Sequence, residues 1–246
     1  MLQKVGFFHF GADHSMPIQA LKRALEHADD IEGALIVLPE AFNISVPYRG
    51  EGDRNFDPSV LDKVKDLAER FGVAFLAGLI IQECCGSRPP YSGAYLITGK
   101  QHTLMCYKAA NDGTTDWNYT PRVGTNDFNN PISYEGIRIG ALICADANPP
   151  KIPLQCMLEH TNSMRKRMDK IVDDCDVLCV PAHMNTGNFA NGEIGKNTDV
   201  PKILILANSK PDGLPSFITN CDGVILKPTV CGSVNRIVTV DGLSRV

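Results

Sequence analysis

Residues 136–150 read GIRIGALICADANPP. From Ile137 to Ile143 the stretch is almost continuously apolar, Cys144 follows, and the chain then turns polar and rich in proline. A short apolar run bounded by turn residues predicts a buried strand, here Ile137 to Cys144. A thiol at such a strand end is presented for attack, and the next backbone N–H, that of Ala145, can point at a reacting oxygen. A lone cysteine in this setting is more often a small buried hydrophobe, so its neighbours in the fold must decide its role.

Two further apolar runs end in ionisable residues. In ALIVLPEAF (residues 34–42) Glu40 closes the run. A carboxylate at the mouth of a buried strand loses hydration, which favours its protonated form and suits it to general-base work. In LMCYKAAN (residues 104–111) Lys108 takes the same place, and an ammonium there can stabilise a developing oxyanion. Read singly, Glu40 is a loop carboxylate in an ion pair and Lys108 a snorkelling surface residue. Read together with Cys144, they supply a base, an oxyanion partner and a nucleophile.

Around these segments strand-like and helical runs alternate. Lys4 to Phe10, Ala34 to Leu38, Val73 to Ile81, Ala94 to Thr98, Thr103 to Tyr107, Val177 to Pro181, Ile203 to Ala207, Gly223 to Leu226 and Arg236 to Val240 read as strands. Gly99-Lys100 is a hairpin turn. Helices are predicted from Pro17 to Ile31, from an Asp57 cap with Pro58 at its first position to a stop at Gly72, and from Leu154 to Val172. Asn111 to Ser133 is polar and aperiodic, which marks either a functional loop or a missed element. Strands outnumber helices, which predicts an α/β fold of mixed sheets, each covered by helices on one face. Without a repeat or a long linker, residues 1–246 read as a single domain.

The composition narrows the function classes. A net charge of −4 and a pI near 5.9 predict no nucleic-acid partner. Arg165-Lys166-Arg167 reads as a solvated helix face. No apolar run approaches the ~20 residues of a membrane span. The N-terminus lacks the layout of a signal peptide. Nine cysteines without a regular framework predict reduced thiols in a cytoplasmic protein. Cys84-Cys85 lacks the spacing of a metal site, and no C-x-x-C pair supports a redox role.

The combination resembles the nitrilase superfamily of carbon–nitrogen hydrolases, which uses a Glu–Lys–Cys triad in that chain order. IGALICAD, with Asp146 two residues past the cysteine, is the strongest match, followed by LPEAF and by Tyr107-Lys108. DVLCVPAHMN, ILILANS and ITNCDGVIL extend the likeness through the C-terminal half. The resemblance implies a four-layer α-β-β-α sandwich of two mixed sheets and an amidase-type hydrolase acting through a thioester. Glu40 is then the base, Lys108 the oxyanion stabiliser and Cys144 the nucleophile, with neither metal nor organic cofactor. It implies a small amide-like substrate and a homodimer or larger homo-oligomer, with the 154–172 helix as candidate pairing face. Nitrile or N-carbamoyl hydrolysis and acyl transfer use the same triad, and a binding homologue without turnover fits the same scaffold.

One departure concerns the substrate site. The family carries a second Glu between the Lys and the Cys. Here the only Glu in that interval is Glu135, close to the Cys144 strand, and Asp116 in TTDWN is the candidate stand-in, ahead of Asp127. Trp117, His183 and Asn185 join Asp116 and Ala145 as candidate substrate-binding residues.

Overall fold

The computed structural model describes residues 2, 4–10, 16–43, 59–81, 91–109, 129–147, 166–183, 203–209, 216–220, 225–227 and 235–241. They form two mixed sheets. The first has the order β12-β1-β2-β3-β4-β5, built from β1 (Lys4–His9), β2 (Ala34–Leu38), β3 (Ala74–Ile81), β4 (Tyr91–Ile97), β5 (His102–Tyr107) and β12 (Arg236–Asp241). The second has the order β11-β10-β9-β8-β7-β6. Its strands are β6 (Ile132–Tyr134), β7 (Ile137–Ala141), β8 (Val177–Ala182), β9 (Ile203–Asn208), β10 (Phe217–Asn220) and β11 (Ile225–Lys227). Each sheet has a parallel centre, β1-β2-β3 in one and β7-β8-β9 in the other, flanked by antiparallel strands.

The most central strands, β2, β3 and β8, are apolar because both of their faces are buried. Val5, Phe7, Leu35, Val37, Leu76, Ile139, Val180 and Leu206 belong to one core, which joins the two sheets. The alternate residues Phe8, Ile36, Leu38, Phe75 and Ala77 face α1 (Pro17–Glu26) and α2 (Val60–Phe71) in a second core. On α1 the buried set is Pro17, Ala20, Leu21, Ala24 and Leu25, the i, i+3, i+4 stripe of an amphipathic helix. Burying Leu21 and Leu25 contributes about 1.5–3 kcal/mol each. Gly72 ends α2 in the left-handed conformation (φ 64°). On the far side of the second sheet lies α3, residues 166–174. There a Cβ on Gly140 would lie 2.9 Å from Cys175 Sγ and 3.0 Å from Ile171, so only glycine allows this close approach of the chain to β7. The order helix, sheet, sheet, helix is the four-layer mixed α/β sandwich expected from the sequence.

Several boundaries differ from the sequence-based expectation. The strand predicted to reach Cys144 ends at Ala141, and Cys144–Ala147 form a 3-10 turn. The first helix stops at Glu26, not Ile31. The segment read as aperiodic to Ser133 already contains β6. That strand meets β7 through a hairpin whose two turn residues, Glu135 (φ 50°) and Gly136 (φ 80°), are both left-handed, as a tight right-twisted hairpin requires. Asp57, Pro58, Gly223, Val224 and the 154–165 part of the third predicted helix lie outside the described residues. Among the described residues no helix is long and apolar enough to cross a membrane.

Candidate active site

Glu40 follows β2, Lys108 follows β5 and Cys144 opens the turn after β7, and the three side chains meet between the sheets. All three residues are buried, with relative exposures of 1%, 0% and 1%. Lys108 Nζ donates to Glu40 Oε1 at 2.9 Å. Ser92, on β4, donates to the same oxygen at 3.4 Å and accepts the Lys108 N–H on its carbonyl at 2.9 Å. Glu40 Oε2 is buried and has no hydrogen-bond partner among the described residues. Cys144 Sγ points at the His183 carbonyl, 3.6 Å away.

The backbone at the site is set by close fits. Asn43 uses its side-chain amide as a strand extension, donating to Ile80 O at 2.7 Å and accepting from Ile80 N–H at 2.8 Å. Together with the Phe42 N–H to Gly78 O bond (3.0 Å), this ties the Glu40 loop to β3. Asn130 does the same for the Cys144 strand, exchanging bonds of 2.7 and 2.8 Å with the backbone of Ala141. Two residues beside the triad are held at positive φ, Ala41 (58°) and Cys144 itself (48°). Each costs of order 1–3 kcal/mol, and such strain persists only where the surroundings over-determine it.

The electrostatics separate the roles. Burial pushes the Cys144 thiol well above the usual cysteine range, and the negative charge of Glu40 pushes it further. Lys108 and the His183 carbonyl contact pull it back without cancelling the rise. The resting thiol is therefore neutral, and a base must remove its proton as it reacts.

The structure brings Glu40, Lys108 and Cys144 together, and Ala145 lies in the turn directly after the cysteine. His183 is buried and adjoins Cys144 through its main chain, while its ring Nδ1 is 3.0 Å from Ser209 Oγ. Asp116, Trp117 and Asn185 lie outside the described residues. Arg167 corrects the reading of its basic cluster as a solvated face: its side chain is only 17% exposed and pairs with Asp146 at 2.8 Å. Ser92, Asn43 and Asn130 carry no sequence signal for a role here, because their contacts depend on strand register. Among the described residues there is no cluster of His, Cys, Asp and Glu able to hold a metal.

A family model for the carbon-nitrogen hydrolases matches residues 12–171, about two thirds of the chain. The chain belongs to the carbon-nitrogen hydrolase family. It is thus a carbon–nitrogen hydrolase by family, in agreement with the nitrilase-superfamily resemblance of its motifs. No curated protein matches it significantly by sequence. Among solved structures it is similar to an amidase from Nesterenkonia sp. AN1. A Glu-to-Gln variant of that amidase, bearing acrylamide added to its active-site cysteine, aligns with a TM-score of 0.65 and 17% identity over 97% of this chain and 92% of that one. The amidase itself aligns at 0.65 and 16%, over 98% and 90%. A Cys-to-Ser variant, described as belonging to the nitrilase superfamily, aligns at 0.64 and 17%, over 98% and 91%. At these identities the likeness establishes the shared fold of this hydrolase.

Proposed function

We propose that this hydrolase is a cysteine-dependent amidase working through a thioester on Cys144. The observation that carries the reading is the buried convergence of Glu40, Lys108 and Cys144, with one carboxylate oxygen held by Lys108 and the other unpartnered among the described residues. Glu40 takes the proton from Cys144 Sγ as the sulfur bonds to the amide carbon. Lys108 and the Ala145 N–H stabilise the tetrahedral oxyanion. The carbon–nitrogen bond then breaks, and the amine leaves with the proton from Glu40. A water loses its proton to Glu40 as it attacks the thioester, the carbon–sulfur bond breaks, and Glu40 returns the proton to sulfur. Every proton move uses the one buried carboxylate.

A small amide is the substrate class that this reading favours. Asp116, Trp117, His183 and Asn185 are its proposed pocket residues, with Asp116 in the place of the family's second Glu. Ammonia release from a panel of aliphatic amides, nitriles and N-carbamoyl compounds tests the assignment. Release from amides by the parent protein and none from Cys144→Ala supports it, whereas equal release by both contradicts it. Nitrile-only or N-carbamoyl-only turnover would keep the triad and replace the substrate class.

The remaining features of the reading are a single domain over residues 1–246, pairing of copies through the predicted 154–172 helix, and a cytoplasmic location. Among the described residues Cys144, Cys175 and Cys179 are buried free thiols, which fits a reducing compartment. Sedimentation velocity tests the pairing, and a purely monomeric chain would contradict it.

A further inference from the structure

Arg167, on α3, bonds to the two segments that carry Lys108 and Cys144. Its Nη1 donates to Asp146 Oδ2 at 2.8 Å and its Nη2 to the Tyr107 carbonyl at 3.2 Å. Asp146 in turn accepts the Ala109 N–H on both oxygens, at 3.1 and 3.0 Å. Tyr107 and Ala109 flank Lys108, so the ion pair grips the backbone on either side of the ammonium-bearing residue. Asp146 also lies two residues beyond Cys144 in the same 3-10 turn. The Asp146 side chain is fully buried, which shields the pair from competing water.

We propose that Arg167 is a positioning residue of the hydrolase: with Asp146 it locks the Lys108 strand end to the Cys144 turn and sets the register of ammonium against thiol. The inference rests on the reading of Cys144 as nucleophile. Two physical points favour arginine here. A planar guanidinium reaches a carboxylate and a carbonyl at once with fixed geometry, which an ammonium on a flexible stem does not. The Cys144 turn is strained at φ 48° and must be held from outside. Nucleophile placement is also unforgiving, since a shift of about 1 Å costs on the order of 100-fold in rate.

The test is the rate of acrylamide addition to each cysteine, resolved by peptide mass spectrometry, in the parent protein, Arg167→Ala and Arg167→Lys. In Arg167→Ala the Cys144 rate should fall about 10- to 100-fold, while the buried Cys175 and Cys179 stay protected. Millimolar guanidinium chloride should restore much of the loss, and Arg167→Lys should recover only part of it. An unchanged Cys144 rate in both variants would overturn the proposal. So would a loss that guanidinium does not relieve, or a general rise in the labelling of Cys175 and Cys179 in both variants, since each marks a merely structural contact. The premise fails separately: if Cys144 of the parent protein reacts no faster than Cys175 and Cys179, the nucleophile reading falls and this inference with it.

Discussion

Lys108 Nζ lies 2.9 Å from Glu40 Oε1, and neither side chain has any exposed surface. A buried pair of this kind is costly to break from one side, because the surviving charge is left desolvated and alone. Such losses run to about 3–5 kcal/mol. Lys108→Met should therefore lower the melting temperature by on the order of 10 °C. Adding Glu40→Gln should return most of that stability without returning activity. Thermal melts of the two single variants and the double variant check this. A double variant no more stable than Lys108→Met would show that the pair is not the source of the loss.

Gly78 faces the back of the Glu40 loop. A Cβ there would sit 2.8 Å from the Pro181 ring and 2.9 Å from Glu40 Cα, and neither neighbour can swing aside. Gly78→Ala should cost about 1–3 kcal/mol from overpacking. It should also displace the base, lowering kcat on the order of 10- to 100-fold with little change in KM. Steady-state kinetics beside urea unfolding separate the two effects. A variant that loses stability but keeps full kcat would mean that the loop position does not govern proton transfer.

Burial holds the Cys144, Cys175 and Cys179 thiols above their ordinary value near 9, and Cys175, also beside Asp176, is pushed up to about 12. A thiol is neutral when protonated, so the native chain binds these protons more tightly than the unfolded one. The stability they provide is complete below about pH 9 and is lost as pH rises towards and beyond 12. Within that window each thiol adds about 1.4 kcal/mol per pH unit to the decline. Urea unfolding from neutral pH to about pH 11 reads the slope, and Cys175→Ala should reduce it by about one thiol's share, ~1.4 kcal/mol per pH unit. A flat profile through that range would contradict the assignment.

Much of the sandwich is legible in the sequence because strands such as β2, β3 and β8 are buried on both faces and so appear as unbroken apolar runs. The same rule misplaces the end of β7. Leu142 and Ile143 are apolar because they plug the core beneath the Cys144 turn, not because they continue the strand. β6 is only three residues long at a sheet edge, too short for a period, and its one signal is the Glu135-Gly136 turn. Glu40, Lys108 and Cys144 are legible through their strand-end positions and motif order. Ser92 and Asn130 are not, since a serine and an asparagine acquire their roles only when register brings them beside the triad strands. Arg167 is misread for the same reason: its buried partner, Asp146, is 21 residues away in sequence.

The central claim is that Cys144 is the nucleophile, and its reactivity relative to the other cysteines tests it most directly. Incubating the native protein with acrylamide and mapping the adducts by peptide mass spectrometry gives that comparison in one experiment. The account predicts a single early adduct on Cys144, formed well before any on Cys106, Cys175 or Cys179 even though all four are buried. Modification of Cys144 at the same rate as those three would contradict it.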